Sequence, residues 1–267
     1  SGSAVRGLSP NAFRLEENGQ PMQLVSAMRA GEQGPANTLL LIDHSGSMAH
    51  AGKIDGAKQA ATTYVSMMRP GDRTALIQFD TEIETLQPFT DDKNALYAAI
   101  QRLVPRGNTS LYDAADQAAR YFETTTGRKS VIVLTDGMDT SSKLNRQAAV
   151  KQATKTGYSI YTIGLGTPGA GYGSQDGIDE TVLRDLAQAS YGEYFYAPDA
   201  SALNGLYQTL SLRIQNEYRL AYITATPLRD GVKRNIVVTA PGAATRTNYN
   251  PGGIIPQAAP EWSSWLM

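Results

Sequence analysis

Leu39-Leu40-Leu41-Ile42-Asp43-His44-Ser45-Gly46-Ser47-Met48 is the stretch on which the fold turns. Four apolar residues in a row, without polar alternation, describe a strand covered on both faces, as in parallel sheets flanked by helices. The run stops at an Asp-x-Ser-x-Ser loop, and a segment of helical period follows. There Ile54, Ala57, Ala61, Tyr64, Val65 and Met68 share one face until Pro70-Gly71 ends it. In a parallel α/β sheet such a loop lies at the carboxyl end of its strand, where ligand crevices form. Asp43, Ser45 and Ser47 alternate, so an extended loop turns all three oxygens the same way. Gly46 leaves room for close approach. One carboxylate and two neutral hydroxyls satisfy a hard cation without cancelling its charge.

Moving outward, short apolar runs alternate with helical stripes from Thr38 to about Ile214, the pattern of β-α-β units. Strands are expected at Leu39–Ile42, Thr74–Phe79, Glu82–Leu86 as a hairpin edge, Val131–Leu134, Tyr158–Ile163 and Glu193–Tyr196. Helical stripes recur at Leu96/Ala99/Ile100/Leu103, at Leu111/Ala114/Ala115/Ala118/Phe122 and at Leu203/Leu206/Leu210/Ile214. The fold class expected is α/β, a doubly wound, mostly parallel sheet flanked by helices. A second strand-to-loop junction, Leu134-Thr135-Asp136-Gly137-Met138-Asp139, also ends in a carboxylate and a glycine. A third loop, Arg106-Gly107-Asn108-Thr109-Ser110-Leu111-Tyr112-Asp113, opens a helix. Three loops can thus converge on one ion. Asp113, early in a helix, reads as dipole compensation, and Asp139 as either a helix cap or an outer oxygen.

The two ends differ in pattern. Phe13–Met28 holds Asn18-Gly19 between alternating segments, a hairpin signal. Tyr218, Leu220 and Tyr222 alternate with Arg219, Ala221 and Ile223, and Asp230-Gly231 then precedes Ile236-Val237-Val238, a second expected hairpin. Residues 10–37 and 215–250 are therefore expected to form one small β module, and 38–214 the α/β domain. Gly, Pro, Ala and Asn dominate Ala240–Pro260, which predicts an extended tail, with 251–267 outside both domains.

Composition narrows the function. With 24 Lys+Arg against 25 Asp+Glu and no basic runs, a nucleic-acid partner is not expected. There is no cysteine, and His44 and His50 are the two histidines, so any metal must sit on oxygen: Mg2+, or Ca2+ or Mn2+. No apolar run approaches the roughly 20 residues of a membrane span. Ser1-Gly2-Ser3 reads as a vector-derived remnant rather than a signal peptide. Gly164-Leu165-Gly166-Thr167-Pro168-Gly169 spells a dinucleotide pattern. Pro168 and the run Gly169–Gly173 nevertheless continue as loop, with no helix to receive a pyrophosphate. Asn108-Thr109-Ser110 matches a glycosylation acceptor by letter alone. No nucleophile elbow, phosphate loop or triad pattern is present, so no catalytic residue is expected.

The three loops together resemble a von Willebrand factor type A domain with a metal-ion-dependent adhesion site, of the bacterial type with flanking β-strands. The family's Asp-x-Ser-x-Ser falls on Asp43, Ser45 and Ser47, its loop threonine on Thr109 and its Thr-Asp-Gly aspartate on Asp136. The resemblance implies direct ligation by Ser45, Ser47 and Thr109, with the carboxylates binding directly or through water according to state. It also implies a partner protein that offers an Asp or Glu carboxylate. His44, Met48, Asn108 and Met138 would rim that contact, His44 as a solvated loop residue rather than a pH sensor. The same likeness implies an extracytoplasmic setting, with a cytoplasmic scaffold as the alternative. Two other readings remain beside it: an ion that only stiffens a structural or sensory ectodomain, and a Mg2+-dependent hydrolase.

Overall fold

The computed structural model describes residues 8–29, 34–153, 158–168, 177–190, 192–216, 218–226 and 231–249. Three short strands come first: β1 (Arg14–Glu17), β2 (Gln20–Met22) and β3 (Leu24–Arg29). The decisive apolar run then becomes β4 (Ala36–Asp43), all of whose residues are buried. After it come α1 (Lys53–Ser66), β5 (Arg73–Phe79), β6 (Ile83–Thr90), α2 (Lys93–Gln101), α3 (Leu111–Tyr121) and β7 (Arg128–Thr135). Next are α4 (Arg146–Ala153), β8 (Ser159–Leu165), β9 (Thr167–Pro168), β10 (Gly177–Ile178), α5 (Glu180–Ala189), β11 (Tyr194–Ala197) and α6 (Ala200–Asn216). The last strands are β12 (Tyr218–Tyr222), β13 (Arg234–Ala240) and β14 (Ala243–Tyr249). The chain divides into two compact units, residues 30–217 and residues 1–29 with 218–267.

In the larger unit the sheet order is β11-β8-β7-β4-β5-β6, parallel except for the β5/β6 edge. β4 lies between β5 and β7, with Leu40 opposite Leu76 and Ile132. Its alternating side chains feed two cores. Leu40 and Ile42 pack in the layer that holds Ile54 and Tyr64 of α1, Leu96 of α2 and Tyr207 of α6. Leu39 and Leu41 pack with Leu111 of α3, Ala149 of α4 and Leu186 of α5. Burial on both faces is why the run carries no polar alternation.

Helices α4 and α5 escape the sequence reading. The buried face of α4 is only Ala149 and Ala153 in an otherwise polar segment, too thin a stripe to stand out. α5 follows the glycine-rich excursion, but it does carry a signal. Asp179 caps it through the Val182 amide, and Val182, Leu183 and Leu186 are buried at helical spacing. β9 and β10 form a two-residue parallel pair after Leu165. Residues 169–176 of the dinucleotide-like stretch lie outside the described residues. Strand ends also extend beyond the apolar runs, β4 starting at Ala36 rather than Leu39, because polar residues at strand ends still complete the ladder.

Two helix glycines predict opposite outcomes. A Cβ on Gly56 of α1 would meet the Cβ of Ala200 at 2.6 Å, whereas one on Gly205 of α6 has nothing within 4 Å. Gly56→Ala is expected to destabilise by about 1–3 kcal/mol as the α1/α6 contact is forced apart. Gly205→Ala is expected to stabilise by roughly 0.5–1 kcal/mol through helix propensity. Paired urea midpoints check both signs.

The smaller unit holds the sheet β14-β13-β1-β2 and the antiparallel pair β12-β3. Asn18 and Gly19, at φ 51° and 78°, make the tight turn between β1 and β2. The second expected hairpin is not formed: β12 pairs with β3, and β13 with β1 and β14. Strands from the other end of the chain take those edges. Residues 243–249 are likewise not extended tail. Pro241-Gly242 is a two-residue turn, with Gly242 at φ 77°, that folds β14 back along β13. Residues 250–267 lie outside the described residues. Buried Glu17 accepts hydrogen bonds from Tyr222, Thr224 and Thr226, and Arg234 lies 3.6 Å away. Burial opposes ionisation of Glu17, but these hydroxyls and the Arg234 charge together hold its carboxyl below the usual range.

Candidate functional site

Adjacent parallel strands bring the loops together. β4 delivers Asp43 to the end of the sheet, and β7 delivers Asp136 one residue after Thr135. Thr109 stands in the loop ahead of α3. Asp43 Oδ1 accepts from the Ser45 amide at 2.8 Å, and its Oδ2 accepts from the Thr135 hydroxyl at 2.5 Å. Ser45 Oγ and Ser47 Oγ lie 3.1 Å apart, and Ser47 Oγ donates to Asp136 Oδ1 at 2.7 Å. A Cβ on Gly137 would meet Thr109 Oγ1 at 3.3 Å and Ser47 Oγ at 4.0 Å, so both hydroxyls lie beside this glycine. Backbone bonds lock the loops: Gly46 N to Gly107 O at 3.0 Å, Arg106 N to His44 O at 2.7 Å, and Thr140 N to Thr109 O at 2.9 Å. Asp43, Ser45, Ser47, Thr109 and Asp136 thus lie together at the carboxyl end of the sheet.

The profile of the von Willebrand factor type A domain matches residues 37–209. This chain belongs to that family. The chain is 25% identical over 208 residues to a UPF0353 protein of Mycolicibacterium paratuberculosis, a match spanning 68% of this chain and 61% of that protein. The chain therefore covers less than two thirds of that relative's length. Among solved structures, the von Willebrand factor type A protein from Catenulispora acidiphila superposes with a TM-score of 0.64 at 17% identity, over 89% of this chain and 72% of that one. The von Willebrand domain of the type V pili tip protein Mfa5 from Porphyromonas gingivalis superposes with a TM-score of 0.54 at 18% identity, over 69% of this chain and 98% of that one. These two likenesses establish the shared fold. A domains mediate protein–protein interaction. Among the described residues, no helix is long and apolar enough to cross a membrane.

Two of the expected rim residues of the A domain are not on the rim. Met48 is fully buried and packs into the core beside α1. His44 is 1% exposed: as the strand's extension its ring turns inward, with Nδ1 2.9 Å from Val104 O and Nε2 3.7 Å from Asp80 Oδ2. Asn108 is exposed and Met138 half-buried. Asp139 caps α3 from outside, accepting from the Tyr112 amide at 3.0 Å, while Asp113 answers by accepting from the Lys143 and Leu144 amides. Both carboxylates are thus engaged by backbone amides.

Electrostatics mark the floor of the site. Burial first, and the neighbouring Asp136 charge second, push the Asp43 carboxyl up to about 7, against the hydrogen bonds from Thr135 and Ser45. Burial also raises Asp136, opposed by Ser47 and Lys53. Two buried carboxylates facing neutral hydroxyls suit a hard divalent cation, whose charge would relieve their repulsion. Among the described residues, no three acidic or imidazole side chains cluster as a metal site. One residue escapes the sequence reading: Lys53, whose Nζ donates to Asp136 Oδ2 at 2.9 Å. Its signal was a lysine at the first position of a helix, against the dipole.

Proposed function

We propose that this A domain holds one divalent cation, Mg2+ or else Ca2+ or Mn2+, with Asp43, Ser45, Ser47, Thr109 and Asp136, and through it binds an Asp or Glu carboxylate on a partner protein. The observation that carries the reading is the continuous run of oxygens from Asp43 through Ser45 and Ser47 to Asp136, with Thr109 against the same glycine. When bound, the ion supplies a Lewis-acidic positive charge. Around it, the buried carboxylates offer fixed oxygens, and exposed Asn108 and half-buried Met138 supply shape at the edge. A binding role without catalysis fits the neighbouring side chains. His44 is buried with Nδ1 engaged by a carbonyl, and Lys53 is engaged by Asp136, so neither is poised as a general base. The likeness to a pilus tip protein favours an extracytoplasmic setting.

The test is calorimetric titration of Mg2+, Ca2+ and Mn2+ into chelator-treated protein, beside Ser47→Ala. One ion per chain is expected, with binding lost in the variant, followed by chelator-sensitive capture of an acidic partner. Silence with all three ions sinks the reading. Partner capture that survives chelator would move the ion to a loop-bracing role.

A further inference from the structure

Lys53 is the first residue of α1, next to its N-cap Gly52. The helix dipole there favours an acid. The lysine is also 4% exposed, a burial that lysine tolerates when paired. Its partner Asp136 divides its two oxygens, Oδ1 taking the Ser47 hydroxyl and Oδ2 the Lys53 ammonium. The other acidic side chain among the five site residues is Asp43. His44, Asp80 and Arg106 form a separate group in which Arg106 Nε lies 3.0 Å from Asp80.

We propose that Lys53 is a fixed positive charge built into the ion site, which makes the occupied site more attractive to an anionic partner while loosening its hold on the bare ion. The inference rests on the ion-binding role proposed above. The Asp43 and Asp136 carboxylates balance a divalent ion in formal charge, and the three hydroxyls add none. The ammonium adds one positive charge beside them at a buried site, which draws a partner carboxylate. The same ammonium repels the incoming ion and occupies half of the carboxylate that would hold it. A merely structural lysine, holding the α1 terminus in place, predicts something else: its loss would weaken ion and anion binding together.

The discriminating experiment measures both affinities in wild type and in Lys53→Met, a neutral side chain of similar length, with Lys53→Gln as a second variant. Mn2+ affinity is read by calorimetry. Acetate, as the carboxylate probe, is titrated into the Mn2+-saturated protein and followed by water-proton relaxation, while circular dichroism reports folding. Loss of the charge is expected to tighten Mn2+ and weaken acetate, each by roughly tenfold. If both affinities stay unchanged or fall together while wild type binds Mn2+, the Lys53 proposal is overturned and the ion-binding role stands. If both variants are unfolded with and without Mn2+, Lys53 is a structural counter-charge and the proposal is overturned. If neither wild type nor variants bind Mn2+, the ion-binding role fails, and this inference with it.

Discussion

Asp43→Asn protein, stripped of ions at pH 8, is expected to unfold at a higher urea concentration than wild type and to bind no divalent cation. The carboxyl is fully buried and faces Asp136, which together push it up to about 7 from the 3.8 of the free side chain. A group raised in this way takes up its proton more readily folded than unfolded. Its stabilising contribution is present below the unfolded value and is lost as pH climbs to about 7. Above that pH the ionised carboxylate weighs against the fold, by roughly 2–4 kcal/mol at about 1.4 kcal/mol per unit shared with Asp136. Asparagine keeps the acceptor for the Ser45 amide, and its NH2 meets the Thr135 hydroxyl, which turns to accept. Urea midpoints of both proteins from pH 4 to 8 test this. The comparison isolates Asp43 from Glu17 and Asp199, whose carboxyls are held below their usual range and slope the other way. Saturating Mg2+ should stabilise wild type alone. A variant that is less stable than wild type at pH 8 and no different at pH 5 would contradict the account.

Leu40→Ala is expected to lower stability by about 2–5 kcal/mol, since it deletes a fully buried side chain and leaves a cavity. Leu40 sits mid-strand between Leu76 and Ile132, under α1 and α6, where neighbours on both flanks are fixed by the ladder and collapse little. Against a typical total of roughly 5–15 kcal/mol, that is a large fraction. Val104→Ala, at a 62% exposed position, should stay within about 0.5 kcal/mol. Equal midpoints for the two variants would place the core elsewhere.

The centre of the fold was legible because burial on both faces writes itself as an unbroken apolar run, and because α1, α2, α3 and α6 carry wide stripes. α4 was not, since a helix that buries two alanines leaves almost no trace. At the site, the Asp-x-Ser-x-Ser pattern singled out Asp43, Ser45 and Ser47, and the pairing of β4 with β7 brings Asp136 beside them. His44 and Met48 were misjudged for a related reason. Alternation gives the relative direction of neighbours in an extended loop, but Gly46–Ala49 is a 3-10 turn that rolls Met48 into the core. Lys53 lay ten positions beyond Asp43 and reached Asp136 only through the tertiary fold. In the smaller unit, Pro241-Gly242 looked like the start of a tail because composition cannot tell a turn from a loose end. The partner strand decides that.

The pairing of β3 with β12 sets Arg29 opposite Tyr218, so the chain leaves and re-enters the smaller unit at adjacent points. Arg14 and Tyr249 lie at opposite ends of the four-stranded sheet: Arg14 pairs with Thr239, and Tyr249 with Arg234. Tension applied between those two residues would load the β1/β13/β14 ladders in shear, with many hydrogen bonds strained at once rather than one after another. The larger unit, spliced in between residues 29 and 218, would carry no load until the β3/β12 pair parts. A domain spliced in at such a point is mechanically insulated from a pull on its own mount.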